Sequence, residues 1–158
     1  NYNEDNMYLY NTFYELCYED CFGKFDRDQG YWQEIFVNIK NNTDFVFNEI
    51  LNNNKLIGYI VYYKNQIVEL AFDPQAISDF LKHLDKLSYP LIISIPAKHK
   101  LNFYIDHLDV TFTSRKCFFG GHMLRWTNEN KIKISIGQPL FDQRDILPFF
   151  NISKLDEV

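Results

Sequence analysis

The three cysteines, together with His122 near Cys117, are side chains whose types and spacing could bind a metal or form a covalent bond. Cys17 and Cys21 are four residues apart, so on a helix they would share one face. Cys117 and His122 are five apart, but no second pair completes the set of about four ligands that a structural zinc ion needs. An odd count of 3 cysteines argues against a disulfide framework and favours a reducing cytoplasm. We therefore predict buried, apolar cysteines, no metal site and a cytoplasmic location.

The composition is typical of one folded domain. The chain has 158 residues, of which 46% are hydrophobic and 23% charged, which suits a single core and argues against disorder. The formal net charge is −5 and no run of Lys or Arg provides a basic face, so we predict no nucleic-acid partner. There is no stretch of about 18 apolar residues and no signal-peptide pattern, so we predict no membrane partner. Because the first residue is Asn1 and not Met, we expect the natural chain to begin further upstream.

Hydrophobic periodicity predicts two helices at the start of the chain. Residues 7–21 and 31–39 carry apolar side chains at close to helical spacing, with a polar loop between them. These side chains are Leu9, Phe13, Leu16 and Cys17 in the first helix, and Trp32, Ile35, Phe36 and Ile39 in the second. We expect these two sets to face the core.

Three strands are predicted after the helices. They cover residues 44–51, 55–63 and 66–72, which are rich in Ile, Val, Phe and Tyr. The polar turns between them, at 52–54 and 64–65, are short. Short turns favour antiparallel neighbours, so the pattern predicts an antiparallel meander.

A third helix and further strands are predicted in the second half. Asp73-Pro74 starts the helix, because Asp is a good N-cap and Pro is favoured at the first helical position. Its apolar stripe is Ile77, Phe80, Leu81 and Leu84. A buried strand over 91–95 and a short helix over 98–107, with Leu101, Tyr104 and Ile105 inward, follow; further strands are predicted over 110–119, 122–127 and 131–136. This order predicts the α+β class: a mixed, mostly antiparallel sheet flanked by helices.

Several short motifs, taken in order, point to a family. They are Arg27 with Trp32, residues 55–62 (KLIGYIVY), residues 67–72 (IVELAF), Ile95-Pro96 with His99 and Leu101, and residues 123–125 (MLR). In this order they resemble the GNAT acetyltransferase superfamily. The narrower resemblance is to the C-terminal half of tandem-GNAT proteins related to the enhanced-intracellular-survival acetyltransferases. It implies a GNAT-like domain over 5–127 and leaves 128–158 as a C-terminal strand and tail.

The resemblance also implies where a coenzyme would bind. Active members hold acetyl-CoA in the gap between the fourth and fifth strands of a splayed sheet. Backbone N–H groups at the start of the next helix hold its pyrophosphate, within an Arg/Gln-x-x-Gly-x-Gly/Ala signature. Here residues 73–78 contain no glycine, Pro74 lacks an N–H group, and Asp73 puts a negative charge at the phosphate position. We therefore predict that acetyl-CoA, the cofactor of the family, is not bound by this domain.

Two residues match catalytic positions of active members. The resemblance implies Glu69 as the general base and Tyr104 as the general acid of acetyl transfer. The structural alternatives are a half-exposed strand glutamate in a surface ion pair and a core tyrosine. His99 follows Pro96 in a turn, where capping or solvation is favoured over catalysis. Arg27 and Trp32 are expected to join the first helices by packing or a cation–π contact.

Three functions remain open from the sequence. The first is a degenerate half of a larger acyl-CoA-dependent N-acetyltransferase, which supports a second acetyltransferase domain through its amine-substrate site or its assembly. The amine would be a small molecule or a peptide. The second is an active N-acetyltransferase with an atypical acetyl-CoA loop. The third is a non-catalytic interaction module.

Overall fold

The computed structural model describes residues 2–21, 24–64, 66–87, 92–96 and 98–107. The helices are α1 (Met7–Cys17), α2 (Gln29–Asn41) and α3 (Ile77–Asp85), and the strands are β1 (Phe45–Asn52), β2 (Lys55–Tyr63), β3 (Gln66–Phe72) and β4 (Ile92–Ile93). Four short 3-10 turns occupy Glu4–Asn6, Pro74–Ala76, Lys100–Phe103 and Ile105–His107. Helices around a mixed sheet confirm the α+β class. The strands predicted beyond residue 107, together with Cys117 and His122, lie outside the described residues.

The four strands form one sheet in the order β1-β2-β3-β4. The first three pair antiparallel, which confirms the meander, and β4 lies parallel to β3. Asn53 and Asn54 connect β1 to β2 with φ of 49° and 63°, and Lys64 begins the next turn with φ of 55°. Asparagine tolerates this left-handed region, so the asparagine-rich turn fits a tight hairpin.

Helices cover both faces of the sheet. On one face the ring of Tyr10 in α1 packs on Phe47 and Tyr59, at 5.0 and 5.7 Å between centroids. On the other face Phe80 in α3 packs on Phe72 at 4.9 Å. Because successive side chains of a strand alternate between faces, residues 69 and 71 point towards α1 and α2, whereas residues 70 and 72 point towards α3.

The buried face of α1 differs from the prediction. Leu9 and Leu16, expected to face the core, are each 37% exposed. The residues that α1 buries are Met7, Tyr10, Phe13, Tyr14 and Cys17. Tyrosine rings are large apolar bodies whose hydroxyl groups can reach partners, so two tyrosines occupy the core face that a count of aliphatic residues would assign to leucines. The helix also ends at Cys17, before Cys21. In α2 the predicted stripe is confirmed.

The segment after β3 also departs from the prediction. Asp73-Pro74 starts a 3-10 turn, and α3 begins only at Ile77. The strand β4 has two residues, and Ile92 is 57% exposed, so the expectation of a continuous buried strand over 91–95 is wrong. Residues 98–107 form two 3-10 turns in place of one short helix, and Leu101 is the predicted inward residue that is fully buried.

Among the described residues, no helix has the length and hydropathy of a membrane-spanning segment.

Candidate functional site

Glu69 lies at the centre of the sheet and is fully buried. The pairing of β2 with β3 passes from Val61↔Glu69 to Tyr62↔Ile67, so Val68 is the extra residue of a β-bulge beside Glu69. The Glu69 carboxylate accepts two hydrogen bonds from Arg27. One guanidinium nitrogen donates to Oε1 at 2.8 Å and the other donates to Oε2 at 2.7 Å. The hydroxyl group of Tyr59 donates a third bond, to Oε1, at 2.8 Å. The alternative that Glu69 is half-exposed is therefore wrong, because the side chain is fully buried. The ion pair that the same alternative predicted is present.

Aromatic rings enclose the guanidinium group of Arg27. Its central carbon lies 3.9 Å from the ring centre of Tyr14 and 4.9 Å from that of Trp32. The predicted cation–π contact between Arg27 and Trp32 is thus confirmed. We call the space bounded by Tyr14, Trp32, Tyr59 and Glu69 the Arg27 pocket.

The Arg27 pocket holds charge in place and does not present it to a substrate. A general base must come within hydrogen-bond reach of the proton it removes. Both carboxylate oxygens of Glu69 already accept hydrogen bonds from Arg27. These bonds favour the ionised form of the carboxylate, so Glu69 is a weaker base. Burial is the larger cause, and the charge of Glu69 the next, of pKa values of Tyr18 and Tyr59 well above the ordinary value of a tyrosine. These phenols are neutral at physiological pH, so the pocket carries one paired positive and one paired negative charge.

A second polar cluster closes the edge of β3 beyond its pairing with β4. Among the described residues, the last backbone contact there is the bond from the Ser94 N–H group to the Ile67 carbonyl at 2.8 Å. Further along β3, His99 Nε2 lies 3.0 Å from the Leu70 carbonyl oxygen. The Phe72 N–H group donates to Cys17 Sγ at 3.3 Å, and Sγ lies 3.4 Å from the Phe72 carbonyl oxygen. Side chains of this chain therefore occupy the strand edge where β4 no longer pairs.

His99 is a neutral, fully satisfied histidine. A carbonyl oxygen only accepts, so Nε2 carries the proton, and Nδ1 accepts from the Leu101 N–H group at 3.1 Å. This second bond caps the 3-10 turn, which confirms the predicted capping role. Burial lowers the pKa of His99 to about 4. With both nitrogens engaged in a buried position, this imidazole is a structural bridge between the turn and β3.

The lowered pKa of His99 predicts a loss of stability in acid. Between pH ~6.5 and ~4 the unfolded chain binds a proton at this residue and the folded chain does not, so stability falls as pH falls. From about pH 7.5 to about pH 5 the expected contribution is a loss of about 2 kcal/mol. Urea denaturation at both pH values measures it in the wild type, in His99→Asn, which can keep the cap, and in His99→Gln, which can keep the bond to Leu70.

Both substitutions remove the titrating group. We expect the difference in unfolding free energy between the two pH values to shrink by about 2 kcal/mol in each variant. An unchanged difference in both would show that His99 is not the residue responsible.

Tyr104 ends the 3-10 turn that His99 caps. Its ring packs edge-on against Phe72, with 6.4 Å between centroids, and is half-buried. Phe72 points towards α3, whereas the side chain of Glu69 points towards α1 and α2. The contacts described for Glu69 are those with Arg27 and Tyr59, and the ring contact described for Tyr104 is that with Phe72.

The turn at residues 73–78 uses its own backbone donors. The Asp73 side chain accepts from the Gln75 N–H group at 3.0 Å, and its carbonyl oxygen accepts from the Ala76 N–H group at 2.9 Å. Pro74 has no N–H group. Asp73 therefore caps the 3-10 turn, whereas the predicted cap of the helix is wrong, because the N-cap of α3 is Ala76.

The cysteines within the described residues are buried, as predicted. Burial raises the pKa of Cys17 and of Cys21 to about 12 each, so both are protonated at physiological pH. A thiol that stays protonated is a poor nucleophile and a poor metal ligand. Within the described ranges no group of three or more His, Cys, Asp or Glu side chains is placed to hold a metal ion.

Sequence reasoning missed several residues of both clusters. Tyr59 could have been found, because antiparallel pairing of two predicted strands places it on the same face as Glu69. The contact of Cys17 with Phe72 spans 55 residues and carries no local signal.

Comparisons of this chain with protein-family models, with curated proteins and with solved structures find no match. The GNAT resemblance therefore stays a prediction, which rests on the motifs and on their order along the chain.

Proposed function

We propose that this chain is a GNAT-like domain that does not hold acetyl-CoA and that supports a partner N-acetyltransferase domain, through its amine-substrate site or its assembly. The order of two helices, three antiparallel strands, a helix and a parallel strand supports this assignment. So does the separation of β3 from β4 after two paired positions, because the family resemblance implies a splayed sheet.

One observation is the main support for the proposal that this domain does not bind acetyl-CoA. The family binds acetyl-CoA in the gap between the strand that carries Glu69 and the next strand. In this chain the edge of β3 along that gap is taken by His99 at Leu70 and by Cys17 at Phe72. A coenzyme would have to displace a buried imidazole and a buried thiol, and each exchange leaves a buried polar group without its partner.

The 3-10 turn that leads into α3 supports the same conclusion. Anions bind helix N-termini because unpaired N–H groups and the helix dipole attract them. Asp73 accepts the Gln75 donor itself and brings a negative charge to the site. A pyrophosphate would meet repulsion there in place of attraction.

Titration calorimetry with acetyl-CoA tests the proposal. We expect no heat of 1:1 binding up to about 1 mM coenzyme, a bound of roughly −4 kcal/mol. One-to-one binding with a dissociation constant in the micromolar range would contradict it and favour an active enzyme with an atypical loop. If binding occurs, Tyr104→Phe and Glu69→Gln, assayed for acetyl transfer, would show whether either residue acts.

The coding sequence upstream of Asn1 tests the partner. An intact Arg-x-x-Gly-x-Gly loop within about 150 residues, one domain length, is the expected finding. Its absence would contradict the partner assignment and favour an interaction module.

A further inference from the structure

Arg27 is held in the fold as a ligand is held in a binding site. It belongs to the loop before α2, in which residues 25, 26 and 28 are exposed and Lys24 is half-buried. Arg27 itself is 1% exposed, and its side chain enters the space between α1, α2 and β3. Within residues 24–28 Arg27 is the buried residue, whereas Lys24 pairs with Glu15 and Phe25 stacks on Tyr31 nearer the surface.

The Arg27 pocket has the features that select a guanidinium ion. The faces of Tyr14 and Trp32 attract a cation, and a planar cation can stack on them. The carboxylate of Glu69 accepts two parallel bonds from two different nitrogens, an arrangement that fits a guanidinium fork and that an ammonium ion cannot reproduce.

Regular elements build this pocket, and several of its walls have partners other than Arg27. The Trp32 indole N–H group donates to Asn11 Oδ1 at 2.9 Å. The Tyr59 ring stacks on Phe47 with 4.9 Å between centroids and 16° between ring planes. Walls fixed in this way keep their shape when the loop residue is changed, so the pocket is pre-organised for a cation.

We infer that the space between α1, α2 and β3 is a guanidinium-binding pocket that the chain fills with its own Arg27, so that the loop docks as an internal ligand. An external ligand of this class is a planar cation with two parallel N–H donors and a short alkyl group. In the wild-type chain Arg27 excludes it, because a tethered ligand has an effective concentration of about the millimolar range or higher. This inference does not depend on the proposed acetyltransferase role.

Chemical rescue of Arg27→Ala in the full chain tests the inference. We expect methylguanidinium to raise the melting temperature of this variant by about 4 °C at roughly 20 times a millimolar dissociation constant. In the wild type the same salt should leave the melting temperature unchanged or lower it, because the pocket is filled and the ion then acts only as a weak denaturant. A rise in the variant without a rise in the wild type is the expected signature, read by circular dichroism.

Two probes separate charge from shape. Methylurea has a similar shape without the charge, and we expect no rise in the melting temperature of Arg27→Ala. Methylammonium has the charge without the fork, and we expect a smaller rise than with methylguanidinium.

Two further variants serve as controls. Arg27→Ala combined with Glu69→Gln removes the acceptor charge and should abolish the rescue. Ile60→Ala creates a cavity at another fully buried position, without a carboxylate, and should gain nothing from methylguanidinium. If Arg27→Ala does not fold alone, recovery of its far-ultraviolet spectrum on adding methylguanidinium, and not methylurea, is the equivalent result. Equal responses of Arg27→Ala to methylguanidinium and methylurea, or no response to either, would overturn the inference.

Discussion

Glu69→Gln is expected to lower the free energy of unfolding by about 3–5 kcal/mol, because it leaves a buried guanidinium without its counter-charge. The glutamine amide would also direct a donor at one of the two guanidinium nitrogens that now bond to Oε1 and Oε2. Urea denaturation followed by circular dichroism measures the change.

Glu49→Gln is the matched control for this prediction. Glu49 Oε1 accepts from the Tyr10 hydroxyl group and from Asn6 Nδ2, both at 2.6 Å. These donors are neutral and the amide oxygen of glutamine can still accept from them, so we expect a loss of about 1 kcal/mol or less. Equal losses in the two variants would show that the charge of Arg27 is not the cause.

The single variant Arg27→Met and the double variant Arg27→Met with Glu69→Gln complete the cycle. Removing both charges avoids the unpaired ion, so we expect the double variant to be more stable than Glu69→Gln alone. Additive losses would mean that the two residues contribute independently and that the ion pair has little energetic weight.

Gly58→Ala is expected to cost about 3 kcal/mol, because the sheet and α3 leave no room for a methyl group there. A Cβ atom at Gly58 would lie 2.6 Å from the Ala71 carbonyl oxygen and 2.7 Å from a carbon of the Phe80 ring. The ring could shift, but the carbonyl oxygen belongs to the neighbouring strand. Either β2 or β3 would have to move.

Gly30→Ala provides a control of opposite sign. A Cβ atom there would meet one atom at 3.4 Å, the Asp28 carboxylate oxygen, which is an ordinary contact. Gly30 lies in the first turn of α2, so alanine should raise stability by up to about 1 kcal/mol through helix propensity. Thermal unfolding of both variants compares them directly, and a neutral Gly58→Ala would contradict the close packing of α3 on the sheet.

Local patterns predicted the meander and α2 correctly, because their signals lie within a few residues. Alternating Phe45 and Phe47, and the asparagine-rich turn at 52–54, identify a hairpin without reference to the rest of the chain. The stripe Trp32, Ile35, Phe36 and Ile39 identifies the buried face of α2 in the same way.

The predictions that depended on distant partners were wrong or incomplete. Glu69 was expected to be half-exposed, since a strand glutamate without a known partner belongs at the surface. Its burial depends on Arg27, which is 42 residues away. The core face of α1 depends on which residues meet the rings of Phe47 and Tyr59 and the backbone of Phe72, and the sequence of the helix alone does not contain that information.

The closure of β3 by side chains has a consequence for folding kinetics. The bond between Cys17 and Phe72 joins residues 55 apart, and that between His99 and Leu70 joins residues 29 apart, whereas the hairpins join near neighbours. Contacts with large sequence separation cost more loop-closure entropy and tend to form later. We therefore expect the meander to form before its β3 edge is covered. During that interval the exposed main chain can pair with another molecule, so refolding yield should fall as protein concentration rises.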